Sequence, residues 1–432
     1  MSRVAVLARM MKELEDQFVT CMRCGLCQSV CPLYAETGRE ADVARGKLAL
    51  LDGLAGSLLE NPAEARERLE RCLLCGSCQA NCPSGVPVLD IFLKARAILA
   101  GYLGLSPAKR LVFRRLLAHP GLFDQVLAWG SKLQGALAKP VSETLGTSCA
   151  RVAGPLGERH FRRLAPLPLH TLVPSRHTTP GPDRPRVAFF VGCLVDKIFP
   201  AVGQAALKVL AHHGVGVSLP AGQACCGIPA LASGDRPAFT SLLAHNLARF
   251  DPAGFDYLVT ACATCTSTIK KVWPLLTQDL SPAERTRVAE ISRKTLDIGQ
   301  FLGDMQLVRA LAPQPGQSSR EVTYHDPCHL KKALGVFREP RELIRANPAY
   351  NLREMAEADW CCGMGGSFNL AHYELSRSIG RRKSAQILAT GCSTVATGCP
   401  ACMLQISDVL SQEGQALRVR HYLELYAEGL PD

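Results

Sequence analysis

The sequence predicts an α-helical N-terminal domain organised around metal-binding cysteines, joined to two duplicated α/β subdomains with parallel sheets. Three observations carry that reading. Two cysteine runs, at 21–31 and 72–82, repeat a single spacing, and the residues around them follow helical periodicity. From residue 187 onward short apolar runs alternate with helical stretches, the pattern of βα units. Within that half, five cysteines recur in the same order 135 to 137 residues later, which marks an internal duplication. The expected organisation is 1–105 for the cysteine-run domain, 106–186 for a helical region and proline-rich linker, and 187–310 and 311–432 for the two repeats.

In chain order, residues 1–20 have helical periodicity through Leu7, Met10, Met11, Leu14 and Phe18. Residues 44–59 and 63–69 read as helices, with Asn61 and Pro62 as the start signal of the second. Residues 87–99 continue as an amphipathic helix. Beyond them Lys109, Arg110, Arg114 and Arg115 interleave with Leu111, Val112, Phe113, Leu116 and Leu117. Such a basic amphipathic helix either lies on an anionic membrane surface or packs on its own protein or a partner subunit with its basic side solvated. Residues 165–186 contain six prolines and read as an extended linker. Strands are expected at 187–191, 214–219 and 257–260, then at 322–325 and 394–397, each leading into a cysteine group. Open α/β sheets place their ligands past the carboxyl ends of their strands.

Both early runs read C-x2-C-x2-C-x3-C-P: Cys21, Cys24, Cys27, Cys31 and Pro32, then Cys72, Cys75, Cys78, Cys82 and Pro83. This resembles the ligand run of bacterial two-cluster ferredoxins, in which the fourth cysteine of each run serves the other cluster. The resemblance implies one [4Fe–4S] cubane cluster on Cys21, Cys24, Cys27 and Cys82, and a second on Cys72, Cys75, Cys78 and Cys31. The alternative is a pair of zinc sites, which C-x2-C pairs also build; zinc gives no reason for the repeated C-x3-C-P tail. With helices between the runs, the domain is similar to the α-helical ferredoxin module of succinate dehydrogenase iron–sulfur subunits.

The later cysteines form two sets: Cys193, Cys225, Cys226, Cys262 and Cys265, then Cys328, Cys361, Cys362, Cys399 and Cys402. Adjacent Cys-Cys side chains diverge, so each pair suits two neighbouring irons better than one tetrahedral metal. The glycine that follows lets the backbone turn closely. The spacings C-x31-C-C-G-x34-C-x2-C and C-x32-C-C-G-x35-C-x2-C look like the CCG domains of heterodisulfide reductase. There a full set of five binds a non-cubane [4Fe–4S] cluster. Both sets are complete here, which implies two such clusters in the CCG subdomains. Cys149 and Cys392 fall outside all sets and are expected to be small apolar core residues. His325 and His329 flank Cys328, placed either to hydrogen-bond a cluster sulfur or as ordinary loop and core residues.

The formal charge of +11 treats every cysteine as neutral. Each thiolate-held [4Fe–4S]²⁺ cluster carries roughly −2, so two would remove roughly four units of that excess. No basic block with interleaved aromatics is present, so nucleic acid is not an expected partner. Twenty cysteines in a long chain, in these spacings and without a recognisable signal peptide, argue for reduced thiols in the cytoplasm. No uncharged apolar run approaches the roughly eighteen residues of a spanning helix. Peripheral attachment to the inner face of the cell membrane remains compatible.

The whole arrangement, two ferredoxin runs before two CCG repeats, is similar to the iron–sulfur subunits of glycolate oxidase. Related subunits serve respiratory D-lactate and anaerobic glycerol-3-phosphate dehydrogenases. The resemblance implies an electron-transfer subunit of a membrane-associated oxidoreductase complex, taking electrons from a FAD-containing oxidase subunit and passing them toward quinone. No G-x-G-x-x-G fingerprint for FAD or NAD is present, and no catalytic residue or substrate site is expected on this chain. The competing implication is catalysis on disulfides at the CCG sets, as in heterodisulfide reductase. A role like that of the matching iron–sulfur subunit of anaerobic glycerol-3-phosphate dehydrogenase is a further alternative.

Overall fold

The computed structural model describes residues 3–151, 157–313 and 318–431. Its chain divides into two units: Met1–Ala118 with Gly227–Ser241 and Gly363–Ile379, and His119–Cys226 with Leu242–Cys362 and Gly380–Asp432.

The first unit is helical, with no strand among its described residues. Helix Ala44–Ala55 stops earlier than its periodicity suggests, because Gly56 and the left-handed Ser57 (φ 58°) turn the chain. Helix Pro62–Glu70 starts where expected: Pro62 needs no amide partner at the first position, and Asn61 Oδ1 accepts from Ala63 N at 3.2 Å. Helix Val88–Leu103 ends at Gly104, whose φ of 79° few other residues adopt. Leu7, Met11, Leu51, Leu69, Ile91, Phe92 and Leu99 are buried in the core. The basic segment is Pro107–Arg110 continuing as π-helical turns over Leu111–Leu117. It packs on its own unit through the buried Phe113 and Leu117, while Leu111 and Val112 are exposed. Arg114 Nε donates to the buried Asp235 at 2.9 Å, and Lys109 pairs with Glu70 at 3.2 Å.

The second unit carries three sheets. Strands β1 (Ala138–Ser142), β2 (Thr147–Ala150) and β3 (Phe161–Arg162) are antiparallel, in a stretch whose pattern predicted helix and linker. Next come β4 (Arg176–His177), β5 (Arg186–Phe190), β6 (Gly216–Leu219), β7 (Tyr257–Thr260) and β8 (Thr295–Asp297), in the order β4-β6-β5-β7-β8. The last sheet holds β9 (Arg320–His325), β10 (Tyr350–Arg353), β11 (Thr394–Thr397) and β12 (Arg418–His421), ordered β10-β9-β11-β12. Apart from the antiparallel edge strand β4, every pairing in these two sheets is parallel. Setting β4 aside, both sheets run second-first-third-fourth, so the duplication extends from cysteine spacing to topology. The expected linker is therefore partly structured, since β4 within it closes one sheet edge. β5, β7 and β11 are buried almost throughout, as parallel strands covered on both faces must be.

The fourth strand of each sheet ends in a buried residue that caps the next helix. Asp297 Oδ1 accepts from Gly299 N at 2.9 Å and from Tyr422 Oη at 2.8 Å, and His421 Nδ1 accepts from Leu423 N at 3.3 Å. Burial raises the Asp297 carboxyl to about 7, and its Oδ2 has no hydrogen-bond partner. A carboxyl raised on folding contributes stability that is complete below its unfolded pKa, near 3.8, and is lost as pH rises through about 7. Asp297→Asn keeps a neutral acceptor and should flatten that dependence. Unfolding midpoints at pH 5 and pH 8 are expected to differ less in the variant than in the parent, and equal differences would refute a neutral Asp297.

Candidate metal centres

In the first unit the two cysteine runs curl identically. Arg23 (φ 55°) and Gly25 (φ 86°) bracket Cys24 as Leu74 (φ 55°) and Gly76 (φ 73°) bracket Cys75. A non-glycine residue held left-handed at the same place in both loops is strain of the kind concentrated at binding sites. The second run faces a cavity whose lining includes Cys72, Cys75 and Cys78, the fourth cysteine of the other run, Cys31, and Lys47. Val88, Leu89 and Phe92 contribute apolar wall. Cys21 and Cys27 lie close enough to interact electrostatically, and Cys27 exerts a weaker electrostatic influence on Cys78. Arg45 lies beside this pair; its guanidinium donates to Arg23 O at 3.0 Å and pairs with Glu40 at 2.6 Å.

Burial, reinforced by Cys75 and Cys72, pushes the Cys31 thiol up to about 12, and burial raises Cys78 well above the ordinary range. Thiolates there need a compensating cation. One is already present: the buried Lys47 donates to Asp42 O, and burial lowers its pKa while Cys72 and Cys31 oppose that drop. Arg96, also buried, donates to the carbonyls of Leu69, Cys72 and Ala232 and so holds the start of the second run in place. Sequence reading passed over both cations. Their signal is a basic residue on an otherwise apolar helix face, as where Arg96 follows Phe92 and precedes Leu99. A strained loop pair, soft thiol donors, apolar walls and buried cations together fit an anionic iron–sulfur cluster.

In the second unit the cysteine sets follow the strand ends at the point where strand order reverses, beside β5 and β9. Gly227 and Gly363, after the paired cysteines, have φ of 94° and 93°. At Gly192 a Cβ would sit 2.8 Å from Cys265 Sγ, so only glycine lets that thiol approach. Cys193 Sγ lies 3.8 Å from Cys225 Sγ, and Cys362 Sγ lies 3.4 Å from Cys402 Sγ. Thiol contacts also link Cys225 to Cys226, Cys226 to Cys265, Cys265 to Cys262, and Cys399 to Cys402. One further contact joins the repeats: Cys262 meets Cys399. Around that junction Ala263 N donates to Gly398 O at 3.1 Å, and Thr264 Oγ1 lies 3.3 Å from Cys399 Sγ. Hydrogen bonds from Cys262 and Cys402 lower the Cys399 thiol well below its ordinary pKa. Sequence spacing alone carries no signal for this contact.

The remaining expected residues sort as follows. Cys392 is buried, as expected, but Cys149 is only half-buried in β2, because that sheet is small. His329 Nδ1 lies 3.1 Å from Thr264 Oγ1. His325 is buried, with Nδ1 3.1 Å from Ala358 O. Burial lowers its pKa to about 3, so the ring is neutral. Lys383, which sequence reading did not single out, donates to Glu357 O at 2.6 Å; burial pulls it down to about 8 while Cys362 opposes the drop.

Residues 187–270 and 322–407 match the family model of the cysteine-rich CCG domain, and residues 17–86 match that of the 4Fe-4S dicluster domain. The chain is 30% identical over 437 residues to the probable glycolate oxidase iron-sulfur subunit of Bacillus subtilis, covering 96% of this chain and 94% of that protein. It is 36% identical over 241 residues to a subunit of the CoM/CoB fumarate reductase of Methanothermobacter marburgensis, covering 56% of this chain but only 45% of the relative. Lactate utilization protein A of an Exiguobacterium species is 31% identical over 246 residues, 57% of this chain and 98% of that one. With both cysteine systems matched and the first of these relatives aligned along nearly its whole length, the chain belongs to the glycolate oxidase iron–sulfur subunit family.

Proposed function

We propose that this chain is the electron-transfer subunit of a 2-hydroxyacid oxidase or dehydrogenase acting on glycolate or D-lactate. It takes electrons from a FAD-containing partner and passes them toward quinone. The observation that carries this reading is the continuous run of thiol contacts across the two CCG repeats, joined at Cys262 and Cys399. Such a junction suits transfer between two centres and requires no substrate pocket. Cys21, Cys24, Cys27 and Cys82 would hold one cubane [4Fe–4S] cluster, and Cys72, Cys75, Cys78 and Cys31 the other. The sets Cys193, Cys225, Cys226, Cys262, Cys265 and Cys328, Cys361, Cys362, Cys399, Cys402 would each hold a non-cubane cluster. Bound there, the clusters supply one-electron steps that split the two-electron output of a flavin.

The chain's own residues shape those steps. Lys47 lies against Cys31 and Cys72 and Lys383 near Cys362; burial works against the charge on each amine while the neighbouring thiols favour it. Among the described residues no helix is long and apolar enough to cross a membrane, so delivery to quinone would need peripheral attachment or an additional membrane protein.

Anaerobically purified protein should contain roughly 16 iron per chain, against roughly 8 if only the N-terminal runs are occupied. Cys225→Ser and Cys361→Ser should each lower the count by up to about four, the content of one cluster, while N-terminal signals persist. The chain alone should not oxidise glycolate or D-lactate with an artificial acceptor, and should do so once its flavoprotein is added. Turnover by the flavin-free chain would overturn this reading. The resemblance of the CCG sets to those of heterodisulfide reductase keeps disulfide chemistry at the joined sets as the second reading. Disulfide turnover by the isolated chain would favour it.

A further inference from the structure

The two CCG sets are alike in topology but not in donors. Phe190 and His325 occupy equivalent places: each ends the first strand of its sheet, three residues before the first cysteine of its set. Register agrees, since Phe190 is paired with Thr260 on β7 and His325 with Thr397 on β11. Phe190 brings no donor atom and packs its ring 5.7 Å from Phe250 and 6.4 Å from Trp273. His325 is 1% exposed. One of its ring nitrogens and the Sγ atoms of Cys362 and Cys402 all lie within 4.8 Å of one another.

The tautomer of that ring follows from its partner. A carbonyl oxygen only accepts, so Nδ1, 3.1 Å from Ala358 O, carries the hydrogen. Nε2 then holds a lone pair, and it is buried without a hydrogen-bond partner. Such a nitrogen has no hydrogen to donate to a cluster sulfur, one of the two roles left open by the sequence. It is equipped to bind a metal, and the carbonyl on Nδ1 is the usual outer partner of a ligating imidazole. His421, also buried near Cys399, is the contrast: its Nδ1 accepts a backbone amide, so Nε2 keeps its hydrogen and has no lone pair to offer.

We infer that His325 Nε2 is an iron ligand of the second CCG centre, which is therefore held by thiolates and one imidazole while the first is held by thiolates alone. This rests on the reading that the repeats bind iron. Both sets keep all five cysteines, so the imidazole is an additional neutral donor, and its removal should shift the potential of the second centre and leave that of the first unchanged.

The test is pulsed EPR of the reduced, anaerobically purified full chain, grown with natural or ¹⁵N-labelled histidine. A strong nitrogen coupling should change with the label, persist in His421→Gln and vanish in His325→Phe, which copies the first repeat and should retain full iron. His325→Cys, which puts an anionic thiolate in place of the neutral imidazole, should lower the potential of the second centre. The labelling comparison needs no variant, so a folding failure leaves it intact. Iron lost on Cys361→Ser, together with no histidine coupling in the parent, would overturn the ligand assignment alone. No iron at the second repeat would overturn this assignment and the four-cluster reading together.

Discussion

Cys31→Ser is expected to abolish the cluster signal carried by Cys72, Cys75 and Cys78 and to spare the one carried by Cys21, Cys24 and Cys27. Cys31 is adjacent in sequence to the first run but shares a cavity with the second. Its electrostatic neighbours are Cys75, Cys72 and Lys47. The substitution is mild for the backbone. Cys31 is the N-cap of helix Pro32–Thr37, its Sγ accepting from Tyr34 N at 3.5 Å, and serine is among the preferred residues there. A lost signal would therefore report lost ligation rather than a lost helix. Cluster-resolved EPR, with iron falling by about four per chain, is the measurement. Loss confined to the Cys21 run would refute the crossover.

Arg96→Met should cost the N-terminal unit on the order of 4 kcal/mol, since each buried carbonyl left without its donor costs about 1–3 kcal/mol and Cys72 and Ala232 lose theirs, while Leu69 O keeps the amide of Cys72. That approaches the lower end of the whole stability of a typical domain, about 5–15 kcal/mol. Methionine fills much of the volume, so cavity formation adds little. Arg96→Lys, with one ammonium for three carbonyls, should fall between the two. Chemical denaturation followed by circular dichroism and by cluster absorbance would read the loss. An unchanged midpoint in Arg96→Met would mean that Arg96 does not anchor the loop at Cys72.

Much of this protein was legible in one dimension because iron–sulfur ligation writes itself as spacing. A loop that wraps a cluster must bring thiols round within a few residues, so the two C-x2-C-x2-C-x3-C runs announce themselves. The same holds for the glycine after each cysteine pair, whose φ near 93° is open to few other residues. The strongly apolar strands β5, β7 and β11 were equally readable, being buried on both faces. Strands β8, β10 and β12 were not, because they are short or carry polar residues such as Asn351, Arg353, Arg418 and Arg420. Pairing to an apolar neighbour makes them strands, and pairing is a property of the fold.

Tertiary structure alone decided two matters. It joined the repeats at Cys262 and Cys399, residues 137 apart, through helix Ala263–Ser267 packing on helix Cys328–Leu334. And it set Ala358 O against His325 Nδ1, which places the ring hydrogen there and leaves a histidine the sequence left undecided with a buried, unpartnered Nε2. Sequence specifies donors and local loop geometry, since both depend on neighbours along the chain. Which donors share a site, and in which protonation form, depends on the low-dielectric contacts that only the folded chain creates.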